Sequence, residues 1–334
     1  MDRLQITFIN VGYGEAIYIR CPDAALPGGW FTMLIDGGSA EAEEYAPQTT
    51  GRIRAAEYLR QEGAPRLNVM VNTHIHEDHL CGLLPVAQAL RPQEFWQSFD
   101  EGFALGEPGK SVREAKIEST RKFLTALRDY DALRRVLAEQ GGRVRQLRAG
   151  EERTVCRDLR VEVLGPQPED LAAMAALLQE SWRTQDGQTG QALLAKADAA
   201  MNNYSMILLL DYCGTKILLP GDTNRDGYGR LAGRLRADVF KVGHHGQSDG
   251  VSQALLEDIR PRHVVCCASS DRRYGSAAPE ILALARKAGA QLHFSDCPIA
   301  DIPPHQALVF SIGRDGDIQA DYRAAGTVGR ATEI

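Results

Sequence analysis

The sequence predicts a mixed α/β chain folded as one composite domain over residues 1–334. Three observations carry this. Apolar runs of strand length alternate with segments of helical spacing. No repeat, low-complexity tract or linker divides the chain. Residues suited to a single metal site come from both halves.

The elements follow in order. LQITFINV (4–11) and EAIYIR (15–20) read as strands around a Gly12/Gly14 turn, and WFTMLIDGG (30–38) as a third ending at Asp36. GRIRAAEYLRQEG (51–63) has helical spacing and a glycine stop. LNVMVNTHIHEDH begins as a buried strand and leads into the short helix LCGLLPVAQALRP. Residues 110–140 form a long charged helical stretch, 142–170 short strands with turns, 171–182 a helix and 183–191 a loop. NYSMILLLDYCGTKILLPGD (203–222) is a hairpin about Cys213-Gly214. ADVFKVGHHG (237–246) and PRHVVCCASS (261–270) are strands, PEILALARKAG (279–289) is a helix, and ALVFSIGRDGDIQADY (307–322) is a hairpin turned by Asp315-Gly316.

Composition narrows the class. Hydrophobic residues make up 44% and charged residues 25%, ordinary for a globular protein with a sizeable core. The formal net charge of −6 argues against a chain whose main task is coating nucleic acid, and leaves room for a local basic groove. Seven scattered cysteines without a C-x-x-C suggest a reduced, cytoplasmic protein. No run approaches the roughly 18–20 apolar residues of a membrane span, so no membrane association is expected.

The chemistry concentrates in NTHIHEDH (72–79), where His74, His76, Asp78 and His79 occupy six consecutive positions. Imidazoles and carboxylates suit zinc, manganese or iron. Residues two apart in an extended segment point the same way, so His74 and His76 could share one ion while Asp78 and His79 reach a second. The remaining ligands must come from elsewhere. Asp222 follows the apolar run KILLPG, and His244-His245 follow FKVG, both at strand ends where sites form. Of eight histidines, five fall in these two clusters.

THIHEDH resembles the H-x-H-x-D-H signature of the metallo-β-lactamase superfamily. FINVGYGEAIYI, MLIDGG, NNYSMILLL, ILLPGDT and DVFKVGHHGQSDGVS resemble, in order, segments of ComEC-type competence-protein hydrolase domains. The resemblance implies an αββα sandwich: two mixed sheets face to face, helices outside, with a site on one edge. A helical insertion at about 97–200 interrupts the match. The resemblance also implies two divalent ions, zinc or manganese. His74 and His76 would hold the first, Asp78, His79 and His244 the second, and Asp222 would bridge both. Asp36 would orient a ligand histidine through a hydrogen bond, Asn203 and Ser205 would line the cleft, and His245 would stand behind the ligands or face substrate.

The chain departs from the superfamily pattern in three places. No histidine lies between His79 and His244 to give the first ion a third imidazole, which leaves that place to water or Asn203. RRYGSAAPE (272–280) lacks the histidine of a YGHP-like stretch, leaving Arg273, Tyr274, Ser276 or His245 to meet substrate. Residues 121–160 carry eleven Lys/Arg against six Asp/Glu, either a groove for a polyanion or a solvated helix face.

The expected function is a metal-dependent hydrolase, foremost a phosphodiesterase or nuclease working through a hydroxide held between two cations. Asp78 and Asp222 would accept the nucleophile's proton, with His245 also placed at the reacting centre. The expected partner is nucleic acid or another phosphodiester. The alternatives are a small-molecule ester or lactone hydrolase, and a metal-stabilised binding module without turnover.

Overall fold

Strands buried on both faces need apolar residues at both parities of the pleat, and the runs noted above supply them. The computed structural model describes residues 3–46, 49–64, 66–107, 109, 118–231 and 235–324. Its strands are β1 (Leu4–Ile9), β2 (Ile17–Pro22), β3 (Trp30–Ile35), β4 (Val69–Val71), β5 (Glu94–Gln97), β6 (Arg143–Gln146), β7 (Glu152–Cys156), β8 (Leu159–Gly165), β9 (Ile207–Tyr212), β10 (Thr215–Leu219), β11 (Val239–Lys241), β12 (His263–Cys266), β13 (Gln291–Phe294), β14 (Ala307–Ile312) and β15 (Ile318–Arg323). Its helices are α1 (Ala55–Gln61), α2 (Glu77–Leu80), α3 (Leu83–Leu90), α4 (Glu118–Glu139), α5 (Pro168–Arg183), α6 (Gly187–Met201), α7 (Arg225–Tyr228), α8 (Gln253–Ile259) and α9 (Pro279–Lys287).

Two mixed sheets result, in the orders β15-β14-β1-β2-β3-β4-β5-β6 and β13-β12-β11-β10-β9-β8-β7. Alternation along the strands builds three layers of core. Ile17, Ile19, Met33, Ile35, Val69 and Val71 face inward to meet Leu208, Leu210, Ile217, Leu219 and Val239 of the second sheet. The residues between them, Tyr18, Leu34 and Met70, face outward under α1, α3 and α4. On the other side, Leu218, Phe240 and Val264 pack beneath α8 and α9. This is the αββα sandwich that the resemblance implied.

The segment expected as an insertion, about 97–200, also holds the short strands expected at 142–170. Strands β6, β7 and β8 fall inside it and extend the two sheets, while α4, α5 and α6 cover one face. Residues 108 and 110–117 of that segment lie outside the described residues. The loop expected at 183–191 ends early. Asp186 caps α6 by accepting from Thr189 N, so the Gln/Gly-rich stretch begins a helix at Gly187. No helix among the described residues is long and apolar enough to cross a membrane.

Parallel pairing positions the site. β3 runs parallel to β4, with Ile35 opposite Val71, and β10, β11 and β12 are parallel in the other sheet. Their C-terminal ends therefore reach one edge of the sandwich together. Asp36, the His74–His79 segment, Asp222, the His244-His245 pair and Cys267 are the residues that follow those ends.

Candidate metal centre

The loop after β4 carries the dense cluster to this edge. His76 is extended (φ −120°, ψ 157°) and stands just before the short helix α2, which presents Asp78 and His79. Gly14 lies across this turn with φ +132°, and a side chain there would collide with the Asp78 carbonyl. Asp36 is held at φ +55°. Its Oδ1 accepts from Thr73 N at 2.8 Å, and its Oδ2 takes Thr73 Oγ1 at 2.6 Å and His79 Nδ1 at 2.7 Å. The Nδ1 proton of His79 thus points at Asp36, and Nε2 is turned to the centre.

The second sheet brings the opposing groups. His245 donates through Nδ1 to the Cys267 carbonyl at 2.8 Å, which again leaves Nε2 facing inward. That atom lies 2.9 Å from Asp222 Oδ2 and 3.0 Å from Asp78 Oδ2. His79 Nε2 is 3.3 Å from Asp222 Oδ2 and 3.3 Å from His245 Nε2. One ligand atom from each of Asp78, His79, Asp222 and His245 lies within 4.8 Å of the others. Two imidazole nitrogens and two carboxylates converge, a donor set that fits a divalent cation.

The electrostatics describe the same mutual demand. Burial opposes charge on His79, yet Asp222 and Asp78 outweigh it and hold the imidazole well above its ordinary pKa. The same balance of burial against Asp222 and Asp78 pushes His245 up to about 9. Burial likewise resists ionisation of Asp222, but His245, His79 and Lys241 draw its carboxyl well below the usual range. A divalent cation held by these four groups would take over the role that protons on the imidazoles otherwise play.

His74 and His76 form the adjoining pair. His74 Nδ1 contacts Thr73 Oγ1 at 3.0 Å and Ser205 Oγ at 3.1 Å, and its Nε2 faces His76 Nδ1 at 3.1 Å. Burial, with His79 and His76 alongside, keeps His74 well below the ordinary imidazole pKa and so neutral. The rings of His74 and His79 lie 4.2 Å apart by centroid, so the pair and the four-group cluster are contiguous.

The two neighbouring histidines take the opposite orientations from those expected. His244 does not join the cluster; its Nδ1 meets Asp249 at 2.8 Å, and its Nε2 meets Asn202 and Gln247, each at 3.0 Å. His245 turns inward in its place. Both residues are in the left-handed region, at φ 47° and 51°, and this tight reversal sends their side chains to different sides. Gly243 before them packs so closely on the Thr223 carbonyl that no Cβ could fit.

Other expected residues also shift. Asn203 Oδ1 accepts from Asn224 N at 3.2 Å, and it is Asn202 that lines the cavity above the cluster. Ser205 is buried beneath His74, where its Oγ accepts from Asp222 N at 3.1 Å. Ser276 is fully buried away from the cavity lining, whereas Tyr274 is 59% exposed at its mouth. Arg273 sits there too, bonded to Glu44 at 2.6 Å.

The basic stretch does not gather into one groove. Lys122 reaches the cavity, Arg134 binds the Phe103 carbonyl, Arg135 pairs with Asp131, and Arg143 and Arg145 pair with Glu94 on β5.

Sequence reasoning missed a buried ionic group beneath the centre. Lys241 on β11 is fully buried, donates to the Gly221 carbonyl at 2.8 Å, lies 3.3 Å from Asp222 Oδ1 and pairs with buried Glu15. Glu15 and Asp222 overcome the burial of its ammonium and raise its pKa. A lysine inside an apolar strand was the available signal.

Residues 25–151 match the metallo-beta-lactamase superfamily model. The chain is similar to ComE operon protein 3 of Bacillus subtilis (strain 168), at 22% identity over 329 residues, covering 96% of this chain and 33% of that protein. It is also similar to Recombination protein 2 of Haemophilus influenzae, at 37% identity over 65 residues, covering 19% of this chain and 8% of that protein. The chain therefore spans about a third of the length of the first relative and under a tenth of the second. Among solved structures it is similar to CmlA, a diiron beta-hydroxylase from Streptomyces venezuelae, with 13% identity and a TM-score of 0.47 over 88% of this chain and 53% of that one. The model match over residues 25–151 and the two-sheet sandwich agree, and over most of its length the chain is similar to ComE operon protein 3.

Proposed function

We propose that this domain is a metal-dependent hydrolase that cleaves phosphodiesters. The observation that carries the proposal is the convergence of Asp78, His79, Asp222 and His245 within 4.8 Å, at the floor of a cavity of about 430 Å³. Zinc or manganese would be held by these four groups, with His74 and His76 holding a neighbouring ion. Divalent cations bound there would supply Lewis acidity, lowering the pKa of a water and stabilising charge on the ester oxygens.

The chain's own residues do the rest. Asp78 and Asp222 stay ionised and are placed to accept a proton from the attacking water. Asp36 and the Cys267 carbonyl fix the tautomers of His79 and His245, so no reorientation is needed at the moment of reaction. At the mouth, Lys122 and Arg273 flank the cavity, and Tyr13 and Tyr274 meet edge to face with centroids 5.1 Å apart. Cations for phosphate oxygens beside aromatic faces for a base suit a nucleic-acid strand or nucleotide ester.

A second reading is hydrolysis of a small ester or lactone. It is favoured by the acidic lining, since Glu44, Glu77 and Asp198 also border the cavity and both mouth cations are already paired with acids. The test is a substrate panel on purified protein with manganese or zinc. Cleavage of bis-p-nitrophenyl phosphate or single-stranded DNA, abolished in Asp222→Ala, is expected. Turnover of lactones without phosphodiesters would select the second reading, and turnover of neither would leave a binding module.

A further inference from the structure

The pair His74–His76 lacks a third imidazole, and the residue nearest its open side comes from a helix that the motifs do not include. Asp198 lies on α6, one turn before Asn202, and both line the cavity. Asp198 Oδ1 is 3.2 Å from His76 Nε2. That nitrogen is buried and has no aligned hydrogen-bond partner, so Asp198 is the acceptor within reach of it.

The two ring nitrogens of His76 have different neighbours. Nδ1 faces His74 Nε2 at 3.1 Å, on the side where the pair would hold an ion. An imidazole that ligates through Nδ1 must carry its proton on Nε2, and a buried N–H requires an acceptor. From these contacts we infer that Asp198 is a positioning residue: it accepts the Nε2 proton of His76 and fixes the ligating tautomer. The segment 187–201 thereby becomes part of the metal centre. This rests on the metal-centre reading above.

Packing supports the placement. α6 is anchored through Leu194, Ala197 and Met201, which are buried in the core beneath the first sheet's helices. Phe123 of α4 packs edge-on against the His76 ring at 5.7 Å between centroids, limiting its rotation. His76 therefore has an apolar wall on one side and a carboxylate at its far nitrogen, as ligand histidines commonly do.

The experiment titrates chelator-stripped protein with zinc, in competition with a chromophoric chelator, for wild type, Asp198→Ala, Asp198→Asn, His76→Ala and the His76→Ala/Asp198→Ala double variant. Cobalt(II) absorption spectra are recorded in parallel. Wild type is expected to bind two ions. Asp198→Ala should weaken one of them by about 10- to 100-fold, the usual effect of removing such a partner, and alter its cobalt spectrum while leaving the other unchanged. Asp198→Asn keeps an acceptor oxygen and should recover part of the loss. The double variant should bind no more weakly than His76→Ala, because Asp198 acts through that ring. Two ions bound by Asp198→Ala with wild-type affinities and spectra would overturn the assignment while leaving the metal centre intact. A wild type that binds no ion would overturn both. Asp198→Asn serves as the test should the alanine variant fail to fold.

Discussion

Nε2 of His245 lies 2.9 Å from Oδ2 of Asp222, across the seam between the loops that follow β11 and β10. The imidazole's other nitrogen is already committed to the Cys267 carbonyl. The contact is therefore an acid facing a base that must be either protonated or shared with a cation. Cation binding should strongly stabilise the fold. Zinc or manganese at about 1,000 times its dissociation constant should add about 4 kcal/mol to the unfolding free energy of chelator-stripped protein. Thermal melts with and without metal check this, and identical melting temperatures would contradict it.

Asp36 should matter through His79 without touching the centre itself. Its carboxylate takes His79 Nδ1 at 2.7 Å and is braced by Thr73. Asp36→Ala should reduce metal affinity by about 10- to 100-fold. Zinc competition measures the loss, and unchanged affinity would show that His79 is oriented by packing alone.

Lys241 predicts a large stability effect. It is buried between Glu15 and Asp222, and Lys241→Met would leave two buried carboxylates without their counter-charge. The metal-free variant should lose about 3–5 kcal/mol. Adding Glu15→Gln should restore a substantial part, because the two residues share one interaction. Urea unfolding of the single and double variants decides the matter, and additive losses would contradict the coupling.

A pH effect is expected far from the centre. His293 Nε2 lies 3.1 Å from His263 Nδ1, and burial, with His263 beside it, lowers the His293 pKa to about 4. The unfolded value is about 6.5, so the unfolded chain binds more protons in between. This contribution to stability is present above about pH 6.5 and is lost as the pH falls through the folded value. His293→Gln should remove it. Between pH 7.5 and 5 the wild type should lose about 2 kcal/mol more than the variant. Urea titrations at the two pH values test this, and equal losses would contradict the assignment.

Much of the site was legible because polar residues sat directly after apolar strands. Asp36, Asp78, His79 and Asp222 reach one edge because parallel strands end together there. The choice between His244 and His245 was not legible. It depends on two successive left-handed residues, and no local composition distinguishes which side chain turns inward. Asn202 and Asn203 exchanged places for a related reason, since a short 3-10 turn at 202–204 sets which amide faces the cavity. Asp198 was hidden because α6 approaches His76 only through tertiary packing, and the Gly/Gln-rich start of that helix reads as a loop. Glu15 and Lys241 are distant in sequence, so their pairing appears only when the two sheets stack.

The most direct test of the central claim is a zinc titration of chelator-stripped wild type, His245→Ala and His244→Ala under one set of conditions. His245→Ala should lose more than about 100-fold in affinity for the ion at the Asp78–His79–Asp222 cluster, exceeding the usual effect of an outer partner. His244→Ala should stay within about 10-fold of wild type. Equal affinity in wild type and His245→Ala, or the larger loss in His244→Ala, would contradict the assignment of this centre.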